Sequence, residues 1–509
     1  MNNSLRYLIY LISFFAITSF GFSSCVTEED YADSSNINLK FSNDTIRFDT
    51  VFTTLGSVTK QIRVYNNENK PLKIDRIRLG AGANSFYRLN VDGNTSLVVN
   101  DVIINAKDSM FIFVRVTINP NNQSNPLLVS DSIIFSFNGK EQYIQLEAYG
   151  QDAYYHVADK WAYTYDDAGN KIDSINYSLA EDKGELSGCI VNGNSLEWKN
   201  DKPHVIFGSL IVNSNKTLTI NENTKIHLNP QSILFVLPNA TLRANGSTQN
   251  NVVFQGMRKD DYYSELPGQW GQIWFQAGSK NNVLNNVTIK NGTIGLIVDS
   301  CVTNDIPTVD IQNTIIENMS IYGILSRGGN INAANTLVQN TGKETVALTI
   351  GGKYQFVFCT FANYWSYNSR RSNSTLLLQN YYYDADNNIQ LRPITECNFY
   401  NTIIYGTNED EITIDKKDGA ELNYMFESCI LLTNSLKNEP PLVSNCIFNR
   451  DPLFNNPQDG DFRIKATSSA IGSGYSSWNA VYPNDIIGNF RQYPPTIGAY
   501  EYYPIATRK

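Results

Sequence analysis

Chemistry in this chain has to come from few residues. Three histidines, His156, His204 and His227, stand against 30 tyrosines, 25 phenylalanines and 63 asparagines in 509 residues. Each lies alone in a strand-like segment with no acid–base partner nearby, so structural roles are expected, and three histidines fall short of the usual multi-histidine metal centres. Two acidic groups remain. Asp260-Asp261, followed by Tyr262 and Tyr263, reads as a carboxylate pair near a binding face or as a solvated loop. Asp384, Asp386 and Asn388 set oxygen ligands at alternate positions as a calcium loop does, but glycine at the sixth position and glutamate at the twelfth are missing. A turn in an exposed insertion is the competing reading, and calcium is the one cofactor suggested. Aromatic rings offer the other chemistry. Trp270 and Trp274, four apart, share a face if they lie on one strand. Trp365 sits between Tyr364 and Tyr367, and Tyr381-Tyr382-Tyr383 follows, with Arg370 and Arg371 between the two clusters. Exposed rings stack on sugars; buried ones fill cores.

The net charge of -9 and the pI near 5.1 exclude the clustered cations that nucleic acid or anionic lipid requires. After Cys25, the cysteines at 189, 301, 359, 397, 429 and 446 form no CxxC pair, so buried thiols are expected in place of zinc ligands or a dense disulfide framework.

The elements that must position these residues begin after a leader. Arg6, an apolar run from Leu8 to Phe22, and Ser23-Ser24-Cys25 describe a secretory signal over residues 1–24, the run being short for a membrane span. Phe22-Ser23-Ser24-Cys25 resembles the lipobox of bacterial lipoproteins, which implies lipidation of Cys25. Glu28, Glu29 and Asp30 resemble the surface-export signal of Bacteroidetes lipoproteins, in an acidic linker over residues 25–40. The expected location is the outer membrane, through the lipid, on the cell surface.

Residues 41–151 carry alternating segments at Asp44–Phe52, Gln61–Asn66, Leu72–Leu79, Ser109–Ile118, Asp131–Phe137 and Gln142–Tyr149, with a loop from Asn119-Pro120 to Pro126 and a hairpin turn at Asn138-Gly139. This pattern resembles the immunoglobulin-like modules of the HYDIN and choice-of-anchor D type, which implies a spacer or interaction domain. Five Asp-Ser/Thr-apolar triplets, headed by Asp44, Asp49, Asp108, Asp131 and Asp173, resemble the O-glycosylation acceptors of Bacteroidetes exported proteins, and equally suit turn aspartates opening strands.

Beyond a connector at 152–189, residues 190–450 repeat. Asn286-Val-Thr-Ile-Lys-Asn, Asn313-Thr-Ile-Ile-Glu-Asn and Asn335-Thr-Leu-Val-Gln-Asn superpose, and Cys359-Thr-Phe-Ala, Asn401-Thr-Ile-Ile, Ser428-Cys-Ile-Leu and Asn445-Cys-Ile-Phe extend the series. Starts fall 27, 22, 24, 42, 27 and 17 residues apart, the spacing of one solenoid coil per repeat, with room at 42 for two coils or an inserted loop. Stacking puts Thr314, Thr336, Thr360, Thr402, Cys429 and Cys446 in one column and Ile315, Leu337, Phe361, Ile403, Ile430 and Ile447 in the next, with the asparagines at corners. Earlier coils are expected in Val205–Val212, Thr217–Leu228, Ile233–Leu242 and Val252–Gln255. The region resembles right-handed parallel β-helix proteins of the pectate-lyase-like superfamily.

Residues 451–509, with Asp451-Pro-Leu-Phe, Gly460-Asp-Phe-Arg-Ile, Ser469-Ala-Ile-Gly and Ile497-Gly-Ala-Tyr-Glu501, resemble the terminal segment of choice-of-anchor Q proteins and are expected to cap the last coil. The fold class is thus all-β: a sandwich, a right-handed parallel β-helix and a C-terminal cap. The lyase and polygalacturonase signatures are absent; Arg463-Ile464-Lys465 stands without its GHG or aspartate-pair companions. The expectation is non-catalytic binding of a glycan or another surface partner, with Trp270, Trp274, Trp365, Tyr381, Tyr382, Asp260 and Asp261 as candidate contacts. The alternatives are a polysaccharide lyase or glycoside hydrolase using an unrecognised carboxylate/basic site, and a structural envelope or adhesin component.

Overall fold

A computed structural model describes residues 30–52, 56–118, 127–165, 169, 171–258, 263–300, 306–367, 370–384 and 386–504, with the side chains of 49, 50 and 127 left aside. The leader, Cys25, Glu28, Glu29, the 119–126 loop, Asp260, Asp261 and Cys301 lie outside these residues.

The chain divides into two compact units, the first ending at Gly150 and the second formed mainly by Gln151–Lys509. In the first, strands Lys40–Phe41, Lys60–Tyr65, Tyr87–Val91 and Ser109–Val116 form one antiparallel sheet, and Thr45–Phe52, Leu72–Leu79, Val98–Ile104, Leu127–Phe137 and Lys140–Gln151 form another. Alternate residues point inward, so Ile62, Ile112, Phe135 and Ile144 are fully buried between the sheets. Asn138 and Gly139 take φ +48° and +75°, the paired left-handed geometry of a tight hairpin between the last two strands. The acidic linker is shorter than expected: Ala32 and Leu39 already pack into this core. Of the glycosylation-like triplets, Asp44 and Asp108 open strands, whereas Asp131 and Asp173 lie within them.

The second unit is a parallel β-helix. Among the described residues its three sheets hold 11, 10 and 11 strands. Pairing is parallel from coil to coil; the exceptions are the ribbons Lys160–Tyr165/Lys171–Leu179 and Cys189–Asn192/Ser195–Trp198 at the start. The connector therefore belongs to the solenoid: Tyr154–Val157 pairs with His204–Phe207, and Lys171–Leu179 with Ser209–Val212. Inward positions repeat as ladders. Ile289, Ile316, Val338, Phe361, Ile404 and Leu431 stand in one register and are all fully buried. Phe356, Phe399 and Phe426 stack with centroids 5.1 and 4.7 Å apart. The long 42-residue interval is one coil with two insertions, one between the strands Thr360–Asn363 and Leu376–Gln379 and the other the hairpin Tyr381–Tyr383/Ile389–Leu391.

Corner chemistry explains the repeat letters and corrects one register. Asn286, Asn313, Asn335, Asn401 and Asn445 take φ between +48° and +54°, where asparagine costs least after glycine. The next residue sends its side chain back to the carbonyl two residues earlier: Thr314 Oγ1 to Gln312 O at 2.7 Å, Thr336 to Ala334 at 3.0 Å and Thr402 to Tyr400 at 3.0 Å. Cys359, Cys429 and Cys446 do the same with sulfur, at 3.5, 3.4 and 3.4 Å. Cys359, not Thr360, therefore belongs to the threonine column, and Thr360 pairs with Leu337 and Ile403 in the column outside it. Phe358 holds the corner that asparagine holds elsewhere, at φ +53°. Asn335 Nδ2 donates to Asn313 Oδ1 at 3.1 Å, and the ladder ends there: Arg491 Nη2 takes Asn335 Oδ1 at 2.7 Å, and the guanidinium lies 3.7 Å over the Phe358 ring.

Arg491 shows that the C-terminal segment differs from the expected cap. It runs along the outer face of the first sheet. Phe454, Phe462, Ile464, Ile486, Ile497 and Ala499 pack on Leu337, Ile403 and Ile430; Ala499 N–H donates to Thr360 Oγ1 and Gly498 N–H to Asn401 O. The outward column of the repeat is apolar because this segment covers it.

Candidate functional site

Two residues further along the same strands, the outward face opens into a cleft. Strand Ile315–Met319 pairs with Leu337–Thr341, setting Ile315 opposite Leu337 under the cover and Glu317 opposite Gln339 beyond it. Hollows on this unit measure 420 to 670 Å³, and this one has 670 Å³. Glu317 and Gln339 form its floor. Glu265, Asn318 and Asn340 flank them, the 364–367 loop forms one wall, and the turn Gln458-Asp459-Gly460 closes another.

Each wall is fixed by the repeat. Asn340 Oδ1 accepts from Tyr364 N–H at 3.3 Å, and the fully buried Asn363 accepts from Trp365 N–H at 3.2 Å. Tyr364 is anchored edge-on against Phe454 and tilted against Phe462, and burial raises its phenol well above the ordinary range. That anchoring leaves Trp365 and Tyr367 to the cleft, ring centroids 5.9 Å apart and edge to face. On the other side, Asn318 Nδ2 donates to Glu265 Oε2 at 3.2 Å, and Lys290 Nζ stands 3.6 Å from Glu265 Oε1.

The floor is electrostatically uneven. Gln339 Nε2 donates to Glu317 Oε2 at 2.6 Å. Desolvation raises the Glu317 carboxyl above the usual glutamate range, against the pull of Lys290 and the Gln339 hydrogen bond. Gln339 is 2% exposed, and no donor among the described residues reaches its Oε1. A buried amide oxygen without a partner costs about 1–3 kcal/mol, so a ligand hydroxyl reaching it would recover that deficit.

Of the candidate contacts that lie among the described residues, the cleft takes Trp365, together with Tyr364 and Tyr367 of its cluster. Trp270 and Trp274 do not share a face, because the strand starts at Ile273. Trp270 is fully buried in the solenoid core, its Nε1 donating to Lys290 O at 2.9 Å. Trp274 faces outward, donating to Asp299 Oδ2 at 2.7 Å, and Arg327 holds the same carboxylate with two nitrogens at 2.7 and 2.9 Å. Tyr381 is 6% exposed and bonds Asp415; Tyr382 lies under Arg392 beside a separate 550 Å³ hollow with Arg327.

The calcium-like triplet is a hairpin turn. Asp384 Oδ1 accepts the amides of Asp386 and Asn388 at 3.1 and 2.8 Å, and Oδ2 accepts Gln390 Nε2 at 2.8 Å. These bonds, that of Asn388 first, hold its carboxyl below the usual range. The carboxylate is turned onto its own loop, and among the described residues no three metal-ligating side chains converge anywhere.

His156 and His204 are packed together, and His227 is buried with Nδ1 3.1 Å from Gly256 O, beside a 440 Å³ hollow. His204 Nε2 donates to Lys199 O at 2.8 Å, its Nδ1 accepts from His156 Nε2 at 2.9 Å, and both rings stack on Trp198 inside the first coils. Sequence reading missed Glu265, Glu317 and Gln339; Glu317 and Gln339 were visible as the fifth letter of two aligned repeats. It also missed Trp161, Tyr163 and Tyr165, 55, 45 and 58% exposed along one face of the first ribbon.

No family model and no curated protein matches the chain. Among solved structures, the catalytic unit of a GH87 α-1,3-glucanase from Streptomyces thermodiastaticus aligns over 76% of this chain and 75% of its own, at 10% identity and a TM-score of 0.29. A family 123 glycoside hydrolase from Clostridium perfringens aligns over 23% of this chain and 27% of its own, at 8% identity and a TM-score of 0.17. The PapD-like domain 7 of human CEP192 aligns over 22% of this chain and 84% of its own, at 9% identity and a TM-score of 0.15. At such scores the likenesses decide nothing about the cleft.

Proposed function

We propose that the protein binds neutral, hydroxyl-rich glycans in the cleft floored by Glu317 and Gln339. The observation that carries this reading is the unpartnered, buried Gln339 Oε1 set below Trp365 and Tyr367. Aromatic rings offer stacking surfaces to the C–H faces of sugars, while a fixed amide and carboxylate select hydroxyls. Charge supports the neutral class: Glu265, Glu317 and Asp459 line the cleft, with Lys290 as the cation beside them, so uronates and sulfated sugars meet like charge.

Titration calorimetry against neutral and uronic-acid oligosaccharides tests the proposal. Neutral oligosaccharides are expected to bind, with Trp365→Ala weakening them about tenfold or more. Preferential uptake of the acidic set, or binding indifferent to both Trp365→Ala and Gln339→Leu, rejects it. We also propose attachment to the outer membrane, facing outward, through lipidated Cys25; the support is Phe22-Ser23-Ser24-Cys25 and the acidic residues after it. Loss of fatty-acid labelling and of membrane fractionation in Cys25→Ser is the expected result.

A further inference from the structure

We propose that the cleft also hydrolyses the glycosidic bond of the neutral glycan it holds, with Glu317 giving a proton to the leaving oxygen and Glu265 taking one from the attacking water. This rests on the glycan-binding reading of the same cleft. Two carboxylates alone do not make a site; the independent sign of a ligand is the buried Gln339 Oε1, which meets no donor among the described residues. Gln339 also fixes Glu317, its Nε2 lying 2.6 Å from Oε2.

The two acids reach the cleft from different elements. Glu317 stands on the solenoid strand Ile315–Met319. Glu265 comes from the turn overhanging it, and Asn318, the neighbour of Glu317, ties that turn down by donating to Glu265 Oε2. Their surroundings differ in the sense that acid–base division needs. Glu317 is half-buried, and desolvation favours its protonated form, with Glu265 contributing in the same direction. Glu265 is exposed, accepts Asn318 Nδ2 and faces Lys290 at 3.6 Å. Trp365 and Tyr367 stand over the pair to hold the sugar rings.

The step balances without a cofactor. The bond from the anomeric carbon to the leaving oxygen breaks, and that oxygen takes the Glu317 proton. The water oxygen bonds to the anomeric carbon, and its proton passes to Glu265. Exchange with solvent then restores a protonated Glu317 and an ionised Glu265.

The test uses the mature chain and a panel of soluble neutral oligosaccharides of glucose, mannose, galactose and N-acetylhexosamine, scored for binding by calorimetry and for new reducing ends. The expected result is slow release of reducing ends from an oligosaccharide that binds. Glu317→Gln and Glu265→Gln are each expected to reduce that release by 10²-fold or more while changing affinity less than about fivefold. The wild-type rate should fall on the alkaline side as Glu317 ionises. Binding without product overturns the hydrolytic proposal and leaves the binding site standing. Product formation that survives Glu317→Gln unchanged overturns the assignment of Glu317. Absence of binding across the panel overturns both readings.

Discussion

The outer face of one sheet is used in two opposite ways, and the boundary runs through single strands. Ile315 and Glu317 share a face of one strand; Leu337 and Gln339 share it on the next. Under the C-terminal segment the column Ile315, Leu337, Thr360, Ile403, Ile430 and Ile447 is covered by apolar side chains. Beyond that segment's edge, Lys290, Glu317 and Gln339 stand in register, and Glu317 and Gln339 line the cleft. Periodicity alone assigns both columns the same outward direction. What separates them is a segment more than a hundred residues later in the chain, so the dry half should govern stability and the open half should govern binding.

The largest effect should come from the pin that holds the cover. The side chains of Arg491 and Glu501 are 0 and 1% exposed, 3.5 Å apart, and Arg491 also bonds Asn335 Oδ1 and the carbonyls of Gly498 and Ala499. Arg491→Met leaves Glu501 charged and buried without its cation, which costs about 3–5 kcal/mol. Urea unfolding should show it, and Glu501→Gln in the same chain should recover part of the loss. A shift below about 1 kcal/mol would mean that the segment is held by its apolar contacts alone.

Next comes the direct contrast between halves. Ile403 is 1% exposed beneath Ile497 and Gly498, so Ile403→Ala should cost about 2–4 kcal/mol in stability. Gln339→Leu, two columns away and equally buried, relieves an amide oxygen that has no partner but also removes the Nε2 bond to Glu317, so its net cost should be about 1 kcal/mol, below that of Ile403→Ala. It should nevertheless weaken oligosaccharide binding. If Gln339→Leu unfolds the chain as readily as Ile403→Ala, the open half is structural too and the contrast fails.

The same sheet carries a third environment at its first coils. Burial lowers His204 to about 4 and His156 well below its ordinary value, both neutral in a chain of hydrogen bonds ending on Lys199 O. Unfolded histidine protonates near 6.5, so unfolding takes up protons below that pH. Stability is complete above about 6.5 and falls as the pH drops toward 4, by about 2 kcal/mol per histidine at pH 5. Glu317 and Glu501, raised by burial, shift the balance the other way over the acidic range. The histidine share is therefore read as the smaller fall in urea midpoint between pH 7 and 5 in His156→Phe. An equal fall in both proteins would remove these histidines from the account.

How much of this was legible depends on whether a residue answers to its own strand or to a distant one. The corners were readable because Asn286, Asn313, Asn335, Asn401 and Asn445 answer to their own φ. Phe358 was not, since the Arg491 guanidinium that lies over its ring comes from far along the chain; without an asparagine at that corner, the letters place Thr360 where the structure has Cys359. Trp270 and Trp274 were misjudged because a four-residue spacing assumes a strand that begins only at Ile273. The cleft was hidden for a similar reason. Glu317 and Gln339 occupy the repeat's fifth position without resembling a motif, and Glu265, Trp365 and the turn at Asp459 join them through three separate excursions from the coils.

The smallest effect tests whether the corner column depends on hydrogen bonding or on size. Thr336 is fully buried, donates to Ala334 O at 3.0 Å and sits one coil from Cys359, which donates to Val357 O through sulfur at 3.5 Å. If the side chain is there to satisfy the i−2 carbonyl, Thr336→Val keeps the volume, strands that oxygen and costs about 1–2 kcal/mol. Thr336→Cys keeps a donor, weaker and longer, and should cost less than half as much. If the column wants only a small side chain, the order reverses, because valine is the closer match in shape and cysteine loses a methyl. Thermal midpoints of the two variants separate these cases. Valine below cysteine means that one hydrogen bond per coil explains why threonine and cysteine interchange along the solenoid.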